Sequence, residues 1–186
     1  MDNVIAAGDF SCDESSTCCF TGHRSRALPD SGDMSSQLMK ILTSRLNLMI
    51  QTAYREGYRT FISGMSEGID LCCAEIVLSM KRSGGYEGIK LICAVPYPGQ
   101  FKEMKNAGDR YRYYACMKGC DAVIYVSPEY SKGCYRERNA FMVEHSSRLI
   151  SVVDPANVAS GTMQTVRLAE KKGIEIITED IGSICN

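Results

Sequence analysis

Short apolar runs alternate with segments of helical periodicity along this chain, and this alternation constrains the fold more than any other feature. Strands and helices that follow one another in this way are typical of a parallel sheet with crossover helices. The 186 residues contain no internal repeat and no linker long enough to divide them. We therefore expect an α/β fold over residues 18–186: a single domain with a doubly wound, mainly parallel sheet and helices on both faces.

Six strands and five helices are predicted from this alternation. The strands are Cys18–Thr21, Thr60–Ser63, Leu91–Val95, Ala122–Val126, Leu149–Val153 and Ile174–Thr178. The helices are expected near residues 38–57, 69–80, 109–118, 135–146 and 162–172. Residues 1–17 are acidic and lack the positive segment of a secretory signal, so we interpret them as a flexible leader.

Composition and charge argue against several classes of protein. The net charge is −1 and the pI is about 6.1, which gives no basic footprint, so a nucleic-acid partner is not expected. No apolar run reaches the length of a membrane span, and no membrane partner is expected. The ten cysteines lie mostly in apolar segments without an export signal, which indicates reduced thiols in a cytoplasmic protein. Cys116 and Cys120 lack a second Cys/His pair, so neither a metal nor a cofactor is predicted.

Three strand-to-helix loops carry small or polar residues at the edge where parallel sheets bind ligands. Glycine lets backbone N–H groups approach an anion, and a helix N-terminus adds partial positive charge. One such loop alone is better explained as a turn with a helix cap. Together the three loops predict a phosphate-containing ligand. They are Thr21-Gly22-His23-Arg24, Ser63-Gly64-Met65-Ser66-Glu67-Gly68 and Ser160-Gly161-Thr162.

None of these loops is a Walker motif or a GxGxxG fingerprint, so NTP hydrolysis and hydride transfer have no support. Arg24 can hold a phosphate or form a surface salt bridge. Asp70 can contact a ribose or complement its helix dipole. Arg138 opposes the dipole of its own helix, which indicates a phosphate or carboxylate partner. For the tyrosines in Tyr111-Arg112-Tyr113-Tyr114 packing is expected, with base stacking as the alternative.

Several segments together resemble one known family. They are TGHR, FISGMSEGIDLCCAE, VPYPGQ, YVSPEYSKGCYRERNAFMV and a late strand–SGT–helix unit, which cover about residues 18–178. In this order they resemble the YpsA-type branch of the SLOG superfamily, which also contains DprA-like DNA-processing proteins and the lonely-guy phosphoribohydrolases. The resemblance implies a Rossmann-like domain whose strand-end loops bind nucleotides or nucleotide-derived ligands. Some relatives are sensors in bacterial or phage conflict.

The lonely-guy enzymes are similar to this chain at two motifs. Their ERKxxM helix start corresponds to Glu137–Met142, where Asn139 replaces lysine, and their PGGxGTxxE motif corresponds to Ala159–Thr165. Thr165 thus stands at the position of the catalytic glutamate. Cleavage of an N-glycosidic bond needs a carboxylate, which threonine does not supply. Residues 154–157 also replace a tighter Asp-Gly turn of the branch.

The leading hypothesis is a protein that binds a nucleotide-derived small molecule, such as an ADP-ribose-like, NAD-like or cyclic-nucleotide signal, and acts as a sensor or sequesters it. One alternative is a nucleotide N-glycosidase or phosphodiesterase with a relocated acid, using Arg138, Asp70 or Asp154. The other is DprA-like binding of single-stranded DNA. Related folds often form dimers, so a homo-oligomer is expected. The predicted ligand contacts are Thr21, Gly22, His23, Arg24, Ser63, Gly64, Met65, Gly68, Asp70, Arg138, Asn139, Asp154, Ser160, Gly161, Thr162 and Thr165.

Overall fold

The computed structural model describes residues 3–154 and 160–185, and within them all strands join one parallel sheet. The strands are Val4–Ala6 (β1), Thr17–Gly22 (β2), Thr60–Ser63 (β3), Lys90–Val95 (β4), Ala122–Tyr125 (β5), Arg148–Val153 (β6) and Glu175–Asp180 (β7). The helices are Gln37–Arg55 (α1), Ile69–Ser83 (α2), Ala107–Gly119 (α3), Cys134–Glu144 (α4), Gly161–Lys172 (α5) and Gly182–Cys185 (α6). The predicted α/β fold is confirmed, and the boundaries of the predicted strands differ by one or two residues.

The sheet order is β1-β5-β4-β3-β2-β6-β7, and every neighbouring pair is parallel. The chain leaves β2 toward β3 and β4 on one side and returns to β6 and β7 on the other. The carboxyl ends of β2 and β6 therefore border the crevice where the winding direction reverses. In open parallel sheets, this crevice is the usual place for a ligand.

Side chains alternate between two hydrophobic cores on opposite faces of the sheet, as the pleat of a strand requires. In β2, Cys18 and Phe20 point to the core formed with α1, α2, α3 and α6, while Cys19 points to the core formed with α4 and α5. The expected layers of helices on both faces are therefore present. The nine cysteines of known burial in the described residues are free thiols, and all except Cys12 are buried.

The interpretation of residues 1–17 as a flexible leader is wrong for Val4–Ala6, which pairs with β5 as an edge strand. Asn3 fixes the start of this strand, because its Nδ2 donates to the Cys120 carbonyl at 3.1 Å. The strand covers backbone groups of β5 that would otherwise form an open sheet edge. Three residues are too few to show strand periodicity, so the sequence contained little signal for this element.

Candidate functional site

A cavity of about 400 Å³ opens at the carboxyl edge of the sheet, at the point where the winding direction reverses. Four parts of the chain form its wall: the end of β2 with the turn that follows, the loop between β3 and α2, the first turns of α4, and the start of α5. The lining residues are Thr21, Gly22, His23, Arg24, Arg26, Ala27, Ser66, Asp70, Tyr135, Arg138, Asn139, Ser160, Gly161 and Thr162.

Ten of the sixteen residues predicted as ligand contacts line this cavity, and six do not. The six are Ser63, Gly64, Met65, Gly68, Asp154 and Thr165. Four lining residues were not among the predicted contacts: Arg26, Ala27, Ser66 and Tyr135. Arg26 and Ala27 follow the TGHR segment directly, so a longer reading of that loop could have found them. Tyr135 stands one turn before Arg138 on α4, a helical spacing that the sequence does show.

Arg138 and Asp70 form a buried ion pair at the floor of the cavity. Their side chains are 5% and 7% exposed, and Nη1 of Arg138 lies 3.0 Å from Oδ2 of Asp70. Nη2 donates to the Ser66 hydroxyl at 3.0 Å, and the Ser66 backbone N–H donates to the same Asp70 oxygen at 3.2 Å. Asp70 is therefore the internal partner that the dipole argument required for Arg138.

The Nε atom of Arg138 is buried and has no hydrogen-bond acceptor among the described residues. Buried guanidinium N–H groups rarely stay without an acceptor, because an unmade hydrogen bond to a charged group costs on the order of 2 kcal/mol. Arg138 also lines the cavity, so its guanidinium contributes positive charge to the wall, although Nε itself is not accessible from the cavity.

Gly64 and Gly22 serve close packing, whereas the sequence had suggested anion cradles at both. A Cβ at position 64 would lie 1.1 Å from Nη1 of Arg138. A Cβ at position 22 would lie 2.5 Å from the side chain of Ile69, the first residue of α2. Gly64 therefore makes room for the buried arginine, and Gly22 lets α2 start against β2.

Ser63, Met65 and Gly68 of the β3–α2 loop do not line the cavity, and local hydrogen bonds order this part of the loop. The Ser63 hydroxyl donates to the Asp70 carbonyl at 2.8 Å and accepts from the Met65 backbone N–H at 3.2 Å. Met65 is fully buried at a positive φ of 58°, and Gly68 is the N-cap of α2. These three residues hold Asp70 and Ser66 in place.

His23 links the end of β2 to the residue after β6. Its Nε2 accepts a hydrogen bond from the Asp154 backbone N–H at 2.9 Å, so the ring is neutral with its proton on Nδ1. Burial lowers the pKa of His23, and the nearby Asp154 carboxylate partly offsets this effect. Asp154 thus contacts the cavity-lining residue His23 through its backbone N–H. The predicted loop at 155–157 and the residue Ala159 lie outside the described residues.

The start of α5 presents an open helix N-terminus to the cavity. Ser160 caps the helix by accepting from the Met163 backbone N–H at 3.3 Å. Among the residues that the structure describes, a Cβ at Gly161 would meet nothing within 4 Å, so no described residue fills the space beside this glycine. Thr165 is fully buried, and its hydroxyl donates to the Gly161 carbonyl at 3.1 Å. The residue at the enzymes' glutamate position therefore supports the helix and does not line the cavity.

Arg24 and Arg26 bring positive charge to the cavity wall without a paired carboxylate in the described part of the chain. Both are exposed, and the Arg24 guanidinium lies 5.3 Å from the centre of the Tyr135 ring. The Tyr135 hydroxyl donates to Glu103 at 2.6 Å, and burial together with this contact raises the pKa of Tyr135. The ring thereby holds Arg24 at the entrance.

Residues 3–154 and 160–185 contain no cluster of three His, Cys, Asp or Glu side chains that could hold a metal ion. Among their helices, none is both long and apolar enough to cross a membrane.

Comparison with known proteins gives a family match and distant relatives. The model of the YspA SLOG family, YpsA, matches residues 18–180. A UPF0398 protein from Lactiplantibacillus plantarum is 27% identical over 144 residues, which make up 76% of this chain and 74% of the relative.

Two solved structures of DNA processing protein A (DprA) share the fold at low identity. The structure from Streptococcus pneumoniae has a TM-score of 0.54 and 16% identity, and the match covers 88% of this chain. The second, which concerns the single-stranded DNA binding mode of DprA from Helicobacter pylori, has a TM-score of 0.56 and 17% identity over 87% of this chain. The matches cover only 50% and 64% of the two DprA chains.

The expectation of no nucleic-acid partner is wrong as an inference from net charge. A protein with the same fold has a described single-stranded DNA binding mode. Net charge averages the whole surface, whereas a nucleic-acid strand contacts one patch of it, so a total of −1 does not exclude a basic patch.

Proposed function

This chain belongs to the YpsA SLOG family, and from its cavity we propose that it binds a nucleotide-derived small molecule through an anionic group. The observation that carries this proposal is the positive charge of the cavity wall, which Arg24, Arg26 and Arg138 line. An open helix N-terminus at Gly161 borders the same space, and such a terminus favours anions.

The charge of the cavity wall supports an anionic ligand. Three arginines and one aspartate line it, and His23 is neutral because Nε2 accepts a hydrogen bond. The wall therefore carries a net charge of about +2, although the whole chain carries −1. A ligand with one or more phosphate groups complements this excess.

The proposed contacts are assigned from the charged and hydrogen-bonding groups that the lining residues present to the cavity. Arg24, Arg26 and the N–H groups at the start of α5 would hold phosphate oxygens. Thr21, Thr162 and Asn139 carry polar side chains on the wall, which suits ribose hydroxyls or a base edge. Asp70 would act indirectly by positioning Arg138. Such a protein would act as a sensor or would sequester the signal.

Isothermal titration calorimetry against a ligand panel tests the proposal. The panel contains ADP-ribose, cyclic ADP-ribose variants, NAD, AMP, and cyclic di- and trinucleotides. We expect heat of binding for at least one member, with an affinity that Arg24→Ala weakens and Arg136→Ala leaves unchanged; Arg136 is an exposed arginine on α4 that does not line the cavity. No heat from any member with correctly folded protein would refute the proposal.

A second candidate is hydrolysis of a nucleotide by a relocated acid, as an N-glycosidase or phosphodiesterase. Asp70 favours it, because it is the carboxylate among the described residues that line the cavity. The panel would be incubated with the protein and separated by chromatography. Product formation that is lost in Asp70→Asn would support this candidate, whereas intact ligands would favour binding alone.

A third candidate is DprA-like binding of single-stranded DNA at this edge of the sheet. The shared fold and the described binding mode of the Helicobacter pylori protein favour it. Competition distinguishes it from the first candidate: a labelled oligonucleotide held in the cavity would be displaced by the small ligand and weakened by Arg24→Ala. If neither the small ligand nor Arg24→Ala alters the affinity for the oligonucleotide, the strand binds at another part of the surface.

A further inference from the structure

Two tyrosines of α3 point into solvent, although packing was expected for them. Tyr111 is 76% exposed and Tyr114 is 47% exposed, while Tyr113 between them is buried. Tyr111 and Tyr114 are three residues apart and Lys118 follows four residues later, so all three share one face of the helix. The buried side of α3, with Tyr113 and Cys116, packs on the core shared with α2.

Tyr114 is held firmly on its inner side. The ring of Phe101 lies 5.3 Å from it by centroids, and the ring of Tyr113 lies 5.8 Å away in a T-shaped arrangement. A ring with a fixed orientation and an exposed face loses little conformational freedom when another flat group stacks on it. This is the arrangement of a preformed stacking platform.

Positive charge is concentrated in the segment that carries these rings. Residues 102–118 contain five basic and two acidic side chains, a net charge of +3 in a chain whose total is −1. Four of the basic residues have no carboxylate within 4.0 Å in the described part of the chain. They are Lys102, Lys105, Arg110 and Lys118.

The two acidic residues of this segment are already engaged in other contacts. Glu103 accepts hydrogen bonds from the hydroxyls of Tyr97 and Tyr135, and Asp109 pairs with Arg112 at 3.0 Å. The guanidinium of Arg110 donates to the carbonyl of Met104 at 2.6 Å, which fixes it beside the turn that carries the two lysines. The segment thus presents uncompensated positive charge beside exposed rings.

We propose that this aromatic–basic face, formed by Phe101, Lys102, Lys105, Arg110, Tyr111, Tyr114 and Lys118, binds single-stranded nucleic acid. The unpaired basic groups would contact the phosphate backbone, and the two tyrosines would stack on unpaired bases. A duplex hides the flat faces of its bases, so it would gain only the phosphate contacts. The face lies outside the cavity wall, and its occupation does not depend on the cavity ligand.

Fluorescence anisotropy with labelled oligothymidine and oligouridine tests this inference. We expect salt-sensitive binding that Tyr111→Ala or Tyr114→Ala weakens about tenfold, since stacking on one ring typically supports an effect of that size. Tyr111→Phe should keep the affinity because it keeps the ring. Lys102→Ala and Lys105→Ala should each reduce the slope of log affinity against log salt by about 0.7.

Matched controls separate the face from general surface effects. Leu48→Ala removes a 59% exposed apolar side chain from α1, and Lys171→Ala removes an exposed lysine from α5; both should bind like the wild type. Arg24→Ala should also bind the strand normally, although it weakens the cavity ligand. The inference is overturned if no strand binds, if the tyrosine variants bind like the wild type, or if duplex competes equally well.

Discussion

The backbone of Gly64 passes so close to Arg138 that a Cβ at position 64 would fall 1.1 Å from Nη1 of the arginine. Asp70 Oδ2 would lie 2.7 Å from the same carbon. The absence of a Cβ at Gly64 therefore allows a buried ion pair between two helices, Asp70 of α2 and Arg138 of α4. This ion pair therefore contributes both to the stability of the fold and to the charge of the cavity wall.

Gly64→Ala is expected to expel the guanidinium from its position and to leave Asp70 buried without its partner. Breaking a buried pair costs about 3 kcal/mol, which urea denaturation measures as a lower free energy of unfolding. Gly161→Ala is the matched control, because a Cβ there meets no atom of the described residues within 4 Å. It should unfold like the wild type while weakening ligand binding by filling part of the cavity. Equal stability of the two variants would contradict this account.

Arg138→Met is expected to lower the free energy of unfolding by about 3 kcal/mol or more, because it leaves the Asp70 carboxylate uncompensated. The double variant Asp70→Leu with Arg138→Met should recover most of this loss, since an apolar pair has no desolvation cost. Denaturant titrations of the single and double variants form a complete cycle. Lys81→Met, which breaks the exposed Lys81–Asp121 pair, should cost less than about 1 kcal/mol.

The stability of the protein should fall as pH falls through the range in which His23 titrates. Burial lowers the pKa of His23, so the unfolded chain takes up a proton more readily than the folded one. The stability contributed by the neutral ring is present above the unfolded pKa of about 6.5 and is lost as pH falls through the lower folded value. Urea denaturation at pH values from about 4 to about 8, a range that includes the unfolded pKa of His23, measures this change in the free energy of unfolding. His23→Gln should flatten the slope, and His145→Gln should retain it.

Arg24→Ala and Arg26→Ala should each weaken the cavity ligand about tenfold without changing the thermal midpoint of unfolding. Both side chains are exposed and have no carboxylate partner in the part of the chain described, so the fold loses no ion pair. A hydrogen bond to a charged group is worth on the order of 1.5 kcal/mol or more. Calorimetric titration provides the affinities. Unchanged affinity in both variants would remove the two arginines from the site.

Thr165→Glu should destabilise the protein and should not create a hydrolase. The side chain of Thr165 is fully buried and does not line the cavity, so a carboxylate there would lose its water without reaching a ligand. The thermal midpoint should fall by several degrees, and chromatography of nucleoside monophosphates should show no product. Gln164→Glu introduces the same charge at the exposed neighbouring position and should leave stability unchanged.

Most of the sheet could be predicted from the sequence because its central strands are buried on both faces. Thr60–Ser63 and Lys90–Val95, for example, are short apolar runs bounded by turns, and such runs are visible without any tertiary information. The three-residue strand Val4–Ala6 could not be predicted in this way. It exists because β5 offers an edge to pair with, and that edge is a property of the folded sheet.

The location of the candidate site was predictable, but the partners of its charged residues were not. The rule that ligands bind at the carboxyl ends of parallel strands brought the β2, β3 and β6 loops together. The partner of Arg138 is Asp70, 68 residues away in the chain, and no local pattern identifies it. The role of Gly64 depends on the same long-range contact, because this glycine leaves room for the Arg138 side chain. The sequence does not show that contact, and for this reason it suggested an anion cradle at Gly64.

The ion pair at the floor of the cavity also determines how strongly a ligand can be held there. Asp70 is a buried counterion, so a phosphate bound as proposed would share Arg138 with this carboxylate. The electrostatic attraction between Arg138 and a bound anion is therefore reduced by Asp70. The same ion pair keeps the arginine side chain ordered when no ligand is bound. Such an arrangement suits reversible exchange with a changing ligand concentration better than permanent retention. It also makes position 70 a tuning point, where affinity can change without altering any group that touches the ligand.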